Sequence, residues 1–243
     1  MKNTNTKHYT PHEWARLLFD KAYKPHRHYM PRKGPLSIID PAVGDGALLE
    51  AVRGLWPDQY CLTGWDIEHS VRADELLGKH PDRDVYEACV DSLMDDPDEG
   101  ERGLYDMLLM NPPFLGKSKF ASQLGPDYLK RLKARFPAGK EYQRPGDLSA
   151  WFLRLAHGIC AERATIGAIM PNTIAQGDTR RVGLKFMVAH GWTIYGCAND
   201  LPWPGKAAVT CSIVWLCRGF DPSDYEVEMF HEADYEIYPH SEL

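Results

Sequence analysis

Asn111-Pro112-Pro113-Phe114 is the tetrapeptide with the clearest chemical content in this sequence. Two consecutive prolines stiffen a turn and push the residue before them toward extended backbone. The Asn111 side-chain oxygen and the Pro112 carbonyl can then point at one spot, and both are hydrogen-bond acceptors. An exocyclic amine on a planar ring has two N–H donors and a lone pair delocalised into the ring. Gripping both hydrogens turns the nitrogen pyramidal and aims its lone pair at an electrophilic methyl group. Such chemistry works by positioning and electrostatics, without a Cys nucleophile or a strong base. Phe114 offers a face on which an extruded base could stack.

A second cluster lies upstream. Asp40-Pro41-Ala42-Val43-Gly44-Asp45-Gly46 follows the apolar pair Ile38-Ile39 and precedes a helical pattern. Its glycines allow a ligand to approach the backbone closely, and the helix start adds partial positive charge. A dinucleotide site would seat a pyrophosphate on GxGxxG. Here Asp40 and Asp45 put anionic charge at that place, which suits a cationic ligand carrying an ammonium and a sulfonium. Asp66 stands 26 residues after Asp40, Asp91 25 residues further, and Asn111 20 beyond that. These intervals fit successive βα units. All four residues therefore gather at the carboxyl edge of one sheet, where open α/β folds bind ligands. Asp66 suits a pair of ribose hydroxyls, and Asp91 an adenine amino group. Each acid alone reads better as a helix cap than as a ligand; their common register favours the ligand.

The elements that must position these groups follow from apolar patterning. Strands are expected at 36–40, 60–66, 85–91, 107–110 and 165–170, with helices at 11–23, after Gly46 and at 148–160. Thr10 is the expected cap of the first helix and Pro11 its first turn. Strands at 193–198 and 209–216 flank Pro202-Trp203-Pro204-Gly205, which suggests an antiparallel hairpin at the sheet edge. Alternation of strands and helices implies an α/β class with a mostly parallel sheet.

Bulk properties exclude several classes. With 243 residues there is room for one sizeable domain. The polar start and the lack of a long apolar run argue against a signal peptide or a membrane span, so the expected location is cytoplasmic. The six cysteines form no CxxC pair, no metal site is expected, and most read as buried reduced thiols. His26 and His28 read as loop surface. The net charge of −6 conceals strong segregation. Residues 115–144 hold eight basic residues against two acidic, directly after the Asn-Pro-Pro-Phe loop. From Gly219 onward there are eight acids and no Lys or Arg. The basic run, and more weakly Arg180 and Arg181, are candidates for phosphate contacts.

Together these motifs resemble the N6-adenine DNA methyltransferases of the γ arrangement. They look closest to the methyltransferase domain of bifunctional type II restriction–modification enzymes. Tyr9-Thr10-Pro11 is similar to the family's N-terminal cofactor motif, 40–46 to its glycine motif, and Asn111-Pro112-Pro113-Phe114-Leu115-Gly116 to its catalytic loop. Leu124-Gly125-Pro126-Asp127-Tyr128 and Asp147-Leu148-Ser149-Ala150-Trp151-Phe152 resemble the segment that follows that loop. Asn172-Thr173-Ile174-Ala175-Gln176-Gly177 resembles a later motif near the target base, and Pro202-Trp203-Pro204-Gly205 with Ala207-Ala208-Val209 the terminal hairpin.

The resemblance implies the class I S-adenosylmethionine-dependent methyltransferase fold: a mostly parallel seven-stranded sheet ending in an antiparallel hairpin, with helices on both faces. It implies methyl transfer to N6 of adenine in DNA. Asn111, Pro112, Pro113 and Phe114 would be catalytic. Tyr9, Thr10, Pro11, Asp40, Ala42, Gly44, Gly46, Asp66, Ile67, Asp91, Ser92 and Asn111 would bind S-adenosylmethionine. The expected organisation is a catalytic domain at 1–218 and an acidic extension at 219–243. No separate target-recognition domain is visible, so another subunit or domain is an expected partner beside DNA. The alternatives are another planar amine (cytosine N4, an RNA base or a protein glutamine) and a non-catalytic subunit of a modification complex.

Overall fold

A computed structural model describes residues 10–29, 34–55, 60–95, 103–203, 210–221 and 228–230. The strands are β1 (Leu36–Asp40), β2 (Tyr60–Asp66), β3 (Val85–Ala88), β4 (Tyr105–Met110), β5 (Cys160–Pro171), β6 (Thr193–Pro202), β7 (Thr210–Arg218) and β8 (Glu228–Phe230). The helices are α1 (His12–Tyr23), α2 (Ala47–Leu55), α3 (Val71–Leu77), α4 (Phe120–Gln123), α5 (Tyr128–Arg135), α6 (Ser149–Ile159), α7 (Gly177–Arg180) and α8 (Phe186–Ala189), with a π turn at Arg181–Lys185 between the last two.

The strand order is β3-β2-β1-β4-β5-β7-β6-β8. Strands β1 to β5 run parallel, and β7 is antiparallel to both β5 and β6. The expected seven strands and terminal hairpin are present. An eighth short strand, β8, pairs parallel to β6 and comes from the segment expected to be an acidic extension. The turn expected at 204–209 lies outside the described residues.

Burial on both faces explains the apolar strand sequences. Along β4 the pleat sends Met107 and Leu109 into one core and Leu108 and Met110 into the other. Along β7, Ile213, Trp215 and Cys217 join the first core, and Val214 and Leu216 the second. The first core is closed by Leu18 and Phe19 of α1, Leu48 and Leu49 of α2, and Leu76 of α3. Leu132 of α5, Trp151 of α6 and Phe186 of α8 close the second. Helices thus cover both faces.

Helix α1 lies close against the sheet. A β-carbon at Gly167 in β5 would stand 2.9 Å from Leu18 Cγ, so only glycine permits this approach. Trp215 Nε1 donates to the Leu18 carbonyl at 3.1 Å, and the Tyr195 hydroxyl to the Lys21 carbonyl at 2.9 Å. These anchors fix where the N-terminus of α1 points.

Several expected boundaries move. Strand β3 stops at Ala88 rather than 91, because Cys89 adopts a left-handed φ of 63° and turns the chain. The α1 cap is Pro11, with no side-chain cap bond; the Thr10 hydroxyl is engaged elsewhere. His26 is buried rather than surface, hydrogen-bonded to the Thr165 hydroxyl at 3.1 Å and packed edge-on to Phe220. Of the cysteines, Cys160, Cys211 and Cys217 are buried, and Cys89 is exposed.

The close crossing of α1 gives a direct test. Gly167→Val should destabilise the fold by about 1–3 kcal/mol through overpacking. Thermal unfolding should register this as a midpoint drop of roughly 2–4 °C per kcal/mol. An unchanged midpoint would contradict the packing of α1 on β5.

Candidate active site

The carboxyl ends of β1, β2, β3 and β4 bring the predicted polar residues to one edge. Asp40 closes β1 and is 1% exposed; its Oδ1 accepts the Ala42 N–H at 3.0 Å. Burial pushes its carboxyl up to about 8, and the nearby Asp66 and Asp45 add to the rise against the Ala42 bond. Asp66 closes β2, and its two oxygens accept the Gly44 N–H at 2.7 Å and the Glu68 N–H at 2.9 Å. The glycine turn is therefore stapled to the second strand.

Gly44 and Gly46 both have left-handed φ, 55° and 88°. Gly46 has a second reason to be glycine, since a β-carbon would reach Leu76 Cδ2 at 2.9 Å. A β-carbon on Gly44 would meet nothing within 4 Å, so the turn presents bare backbone to open space. Asp45 departs from its expected role: its carboxylate pairs with Arg72 of α3 at 3.1 Å, and Arg72 also binds Glu50. Its charge is shared rather than offered to a ligand alone.

Asp91 stands just beyond β3, its Oδ1 accepting the Leu93 N–H at 3.1 Å. Ser92 is buried, and its hydroxyl donates to the Pro41 carbonyl at 2.6 Å, tying this loop to the glycine turn. Ile67, next to Asp66, is 62% exposed.

Asn111 is the first residue after β4. Its Nδ2 donates to the Thr10 hydroxyl at 3.1 Å, across 101 residues of sequence. That bond assigns the amide nitrogen to Thr10 and turns the oxygen to the other side of the planar group. Pro112 is buried, Pro113 exposed, and Phe114 is half-buried against the core beneath α1. Pro11 is near by chain connection to Thr10, whereas Tyr9 lies outside the described residues.

The loop after Phe114 is clamped. Asp147 Oδ1 accepts the Leu115 N–H at 3.3 Å, the Ser149 N–H at 3.0 Å and the Ser149 hydroxyl at 2.7 Å. The Asp147 N–H bonds the Thr179 hydroxyl at 3.1 Å. Asp178 pairs with Arg181 at 3.0 Å and approaches Lys117 at 4.0 Å. Lys119, Lys130, Arg131, Lys140 and Arg144 are exposed on the segment that follows the loop.

Asn172 follows β5 directly. Its amide donates to Asp200 at 2.7 Å and Thr210 at 2.8 Å and accepts from Ser212 at 2.9 Å. It locks the tips of β5, β6 and β7 together. Tyr128 stands out in the sequence only as part of the segment after the loop; its hydroxyl meets both Asp91 oxygens at 3.0 and 2.9 Å, a contact sequence reading missed. Burial pushes the Cys160 and Cys211 thiols up to about 12, so neither supplies a nucleophilic thiolate. Among the described residues no group of His, Cys, Asp and Glu could hold a metal ion. None of their helices is long and apolar enough to cross a membrane.

No protein-family model and no curated protein matches the sequence. Solved structures do match. A candidate class I S-adenosylmethionine-dependent methyltransferase from Listeria monocytogenes aligns with a TM-score of 0.66 at 15% identity, covering 95% of this chain and 68% of that one. A methyltransferase subunit of a type I restriction-modification system from Streptococcus thermophilus aligns at 0.62 and 17%, covering 88% and 45%. The type IIG restriction endonuclease BpuSI aligns at 0.59 and 22%, covering 87% and 25%. A candidate RNA methyltransferase from Pyrococcus horikoshii aligns at 0.54 and 18%, covering 90% and 92%. The chain thus spans under half the length of the two restriction-modification proteins. At these identities the shared property is architecture: this chain has the class I S-adenosylmethionine-dependent methyltransferase fold.

Proposed function

We propose that this chain binds S-adenosylmethionine and transfers its methyl group to N6 of adenine in DNA. The observation that carries this reading is the Asn111 loop, which leaves the sheet beside the Asp40, Asp66 and Asp91 constellation with its amide held by Thr10.

The residues suit the cofactor. Bare backbone at Gly44, a buried acid at Asp40 and carboxylates at Asp66 and Asp91 match a ligand with a cationic end, a ribose and an adenine amino group. Exposed Ile67 suits the flat adenine. Bound S-adenosylmethionine would supply an electrophilic methyl on sulfur. The chain's own part is to hold the target amine. Asn111 Oδ1 and the Pro112 carbonyl accept its two N–H groups, Phe114 stacks the flipped base, and the basic segment after the loop meets phosphates.

The choice of adenine in DNA rests on the resemblance described above and on the restriction-modification neighbours. Because those proteins are longer, sequence recognition by a further domain or a partner subunit is part of the proposal. A second reading, an RNA base as target, is favoured by the RNA methyltransferase neighbour. Labelled methyl transfer to defined DNA and RNA, followed by nucleoside separation, decides between them. N6-methyladenine in DNA is the expected product; label confined to RNA would replace the first reading by the second.

Asn111→Ala should reduce transfer by about a hundredfold or more, as for loss of a donor or acceptor made for the transition state. S-adenosylmethionine affinity should stay within about threefold. Retained transfer would remove Asn111 from catalysis.

Asp40 predicts a pH dependence. Its carboxyl is raised from 3.8 to about 8, so the fold alone favours the protonated form, and that contribution is lost as pH rises toward 8. A cation bound at the turn favours the carboxylate instead. Binding at pH 7 should therefore release a proton, and affinity should climb with pH before levelling near 8. Calorimetry in two buffers of different ionisation heat measures this release; identical heats would refute it.

A further inference from the structure

The proposed chemistry gives no task to a buried polar contact at the start of α5. Tyr128 opens α5, is 7% exposed, and sets its hydroxyl 3.0 and 2.9 Å from the two oxygens of Asp91. Against a carboxylate the hydroxyl must donate. Burial and the charge of Asp91 push its ionisation well upward, so the donor keeps its proton throughout the working range.

A single proton shared between both oxygens fixes the plane of the carboxylate. The Leu93 N–H takes a further lone pair on Oδ1 at 3.1 Å, and the Asp91 N–H is itself held by Asp95 at 2.8 Å. A carboxylate has about four lone-pair sites, so these donors leave acceptor capacity for an incoming amine. Without Tyr128 the side chain would keep, among the described residues, one anchoring donor, the Leu93 N–H, and a free torsion about its terminal bond. The same helix is two-faced: Tyr128 and Leu132 point inward, one turn apart, while Lys130 and Arg131 are exposed.

We propose that Tyr128 is a positioning residue that presents the Asp91 carboxylate to the adenine amino group of the cofactor, and so joins the cofactor pocket to the basic helix α5. This rests on the S-adenosylmethionine reading above. Holding an acceptor at one orientation converts a mobile carboxylate into a selective contact for N–H donors.

The test is Tyr128→Phe in the full chain, with two probes: S-adenosylhomocysteine and its inosine analogue, in which a 6-oxo group replaces the 6-amino group. Wild type should prefer the amino form. The variant should bind S-adenosylhomocysteine about tenfold more weakly, with little change for the analogue, so the preference shrinks. Asp91→Asn should erode the same preference, and the double variant should lose no more than either single one. A thermal midpoint within about 2 °C of wild type would separate this effect from unfolding, since the ring and its packing remain. An unchanged preference in a folded Tyr128→Phe variant would overturn the proposal. Tighter binding by that variant would overturn it too, making Tyr128 a plug over Asp91. If wild type binds neither probe, the cofactor reading itself falls, and this proposal with it.

Discussion

Strand β4 is the constraint on which the site depends. It is paired on both sides by parallel strands, and Met107, Leu108, Leu109 and Met110 are fully buried. A polar side chain among them would have to be satisfied inside an apolar interior at considerable cost. The first position where polarity is permitted is the residue after the strand, and that residue is Asn111. Pro112 and Pro113 then remove two backbone N–H groups. The exit from the sheet is thereby left with carbonyl acceptors and few donors, which suits a ligand that is itself an N–H donor.

Acceptors are useful only when oriented, and here the distant helix α1 matters. Gly167 lets it approach β5, and bonds from Trp215 and Tyr195 pin it along its length. Thr10, two residues ahead of the helix, is thus delivered to Asn111. An asparagine amide can face either way round with little change in shape. A partner for its nitrogen breaks that symmetry and directs the oxygen away from Thr10.

The architecture was legible because period and interval carry it. Apolar runs of strand length, spaced by helical patterns, predict the parallel order. The intervals between Asp40, Asp66, Asp91 and Asn111 put all four at strand ends without reference to contacts. Contacts between distant segments were not legible. Thr10 has the composition of a helix cap, and its pairing with Asn111 follows only from how α1 crosses the sheet. His26 sits among basic residues and prolines, yet is drawn inside by the Thr165 hydroxyl on buried β5. Arg154 reads as a charged position on a helix. It is buried, donating to the carbonyls of Phe136 and Tyr142 and lying 3.8 Å from the Phe186 ring centre, which holds the irregular chain between α5 and α6. Tyr128 belongs to a motif visible in the sequence, but its pairing with Asp91 was not legible for the same reason: nothing in its neighbours names Asp91.

The charges at the edge point to the kind of ligand it accepts. Asp40, Asp66 and Asp91 have no Lys or Arg partner within ion-pair distance among the described residues; their carboxylates accept from N–H and O–H dipoles instead. Asp45, by contrast, is paired with a cation, Arg72 of α3. Desolvation together with neighbouring like charge drives Asp40 toward its protonated form. A pyrophosphate would add to this repulsion, and a neutral ligand would leave it in place. A ligand with positive charge at one end relieves it, while its hydrogen-bond donors meet acids already held by backbone and by Tyr128. The exposed basic residues lie on the segment after the loop, and helix α5 of that segment is tied to the acidic edge only through the neutral Tyr128 hydroxyl among the described residues. Under the proposed function, the two signs of charge would serve the two ends of one transfer, the acids a cationic cofactor and the basic segment a polyanionic substrate.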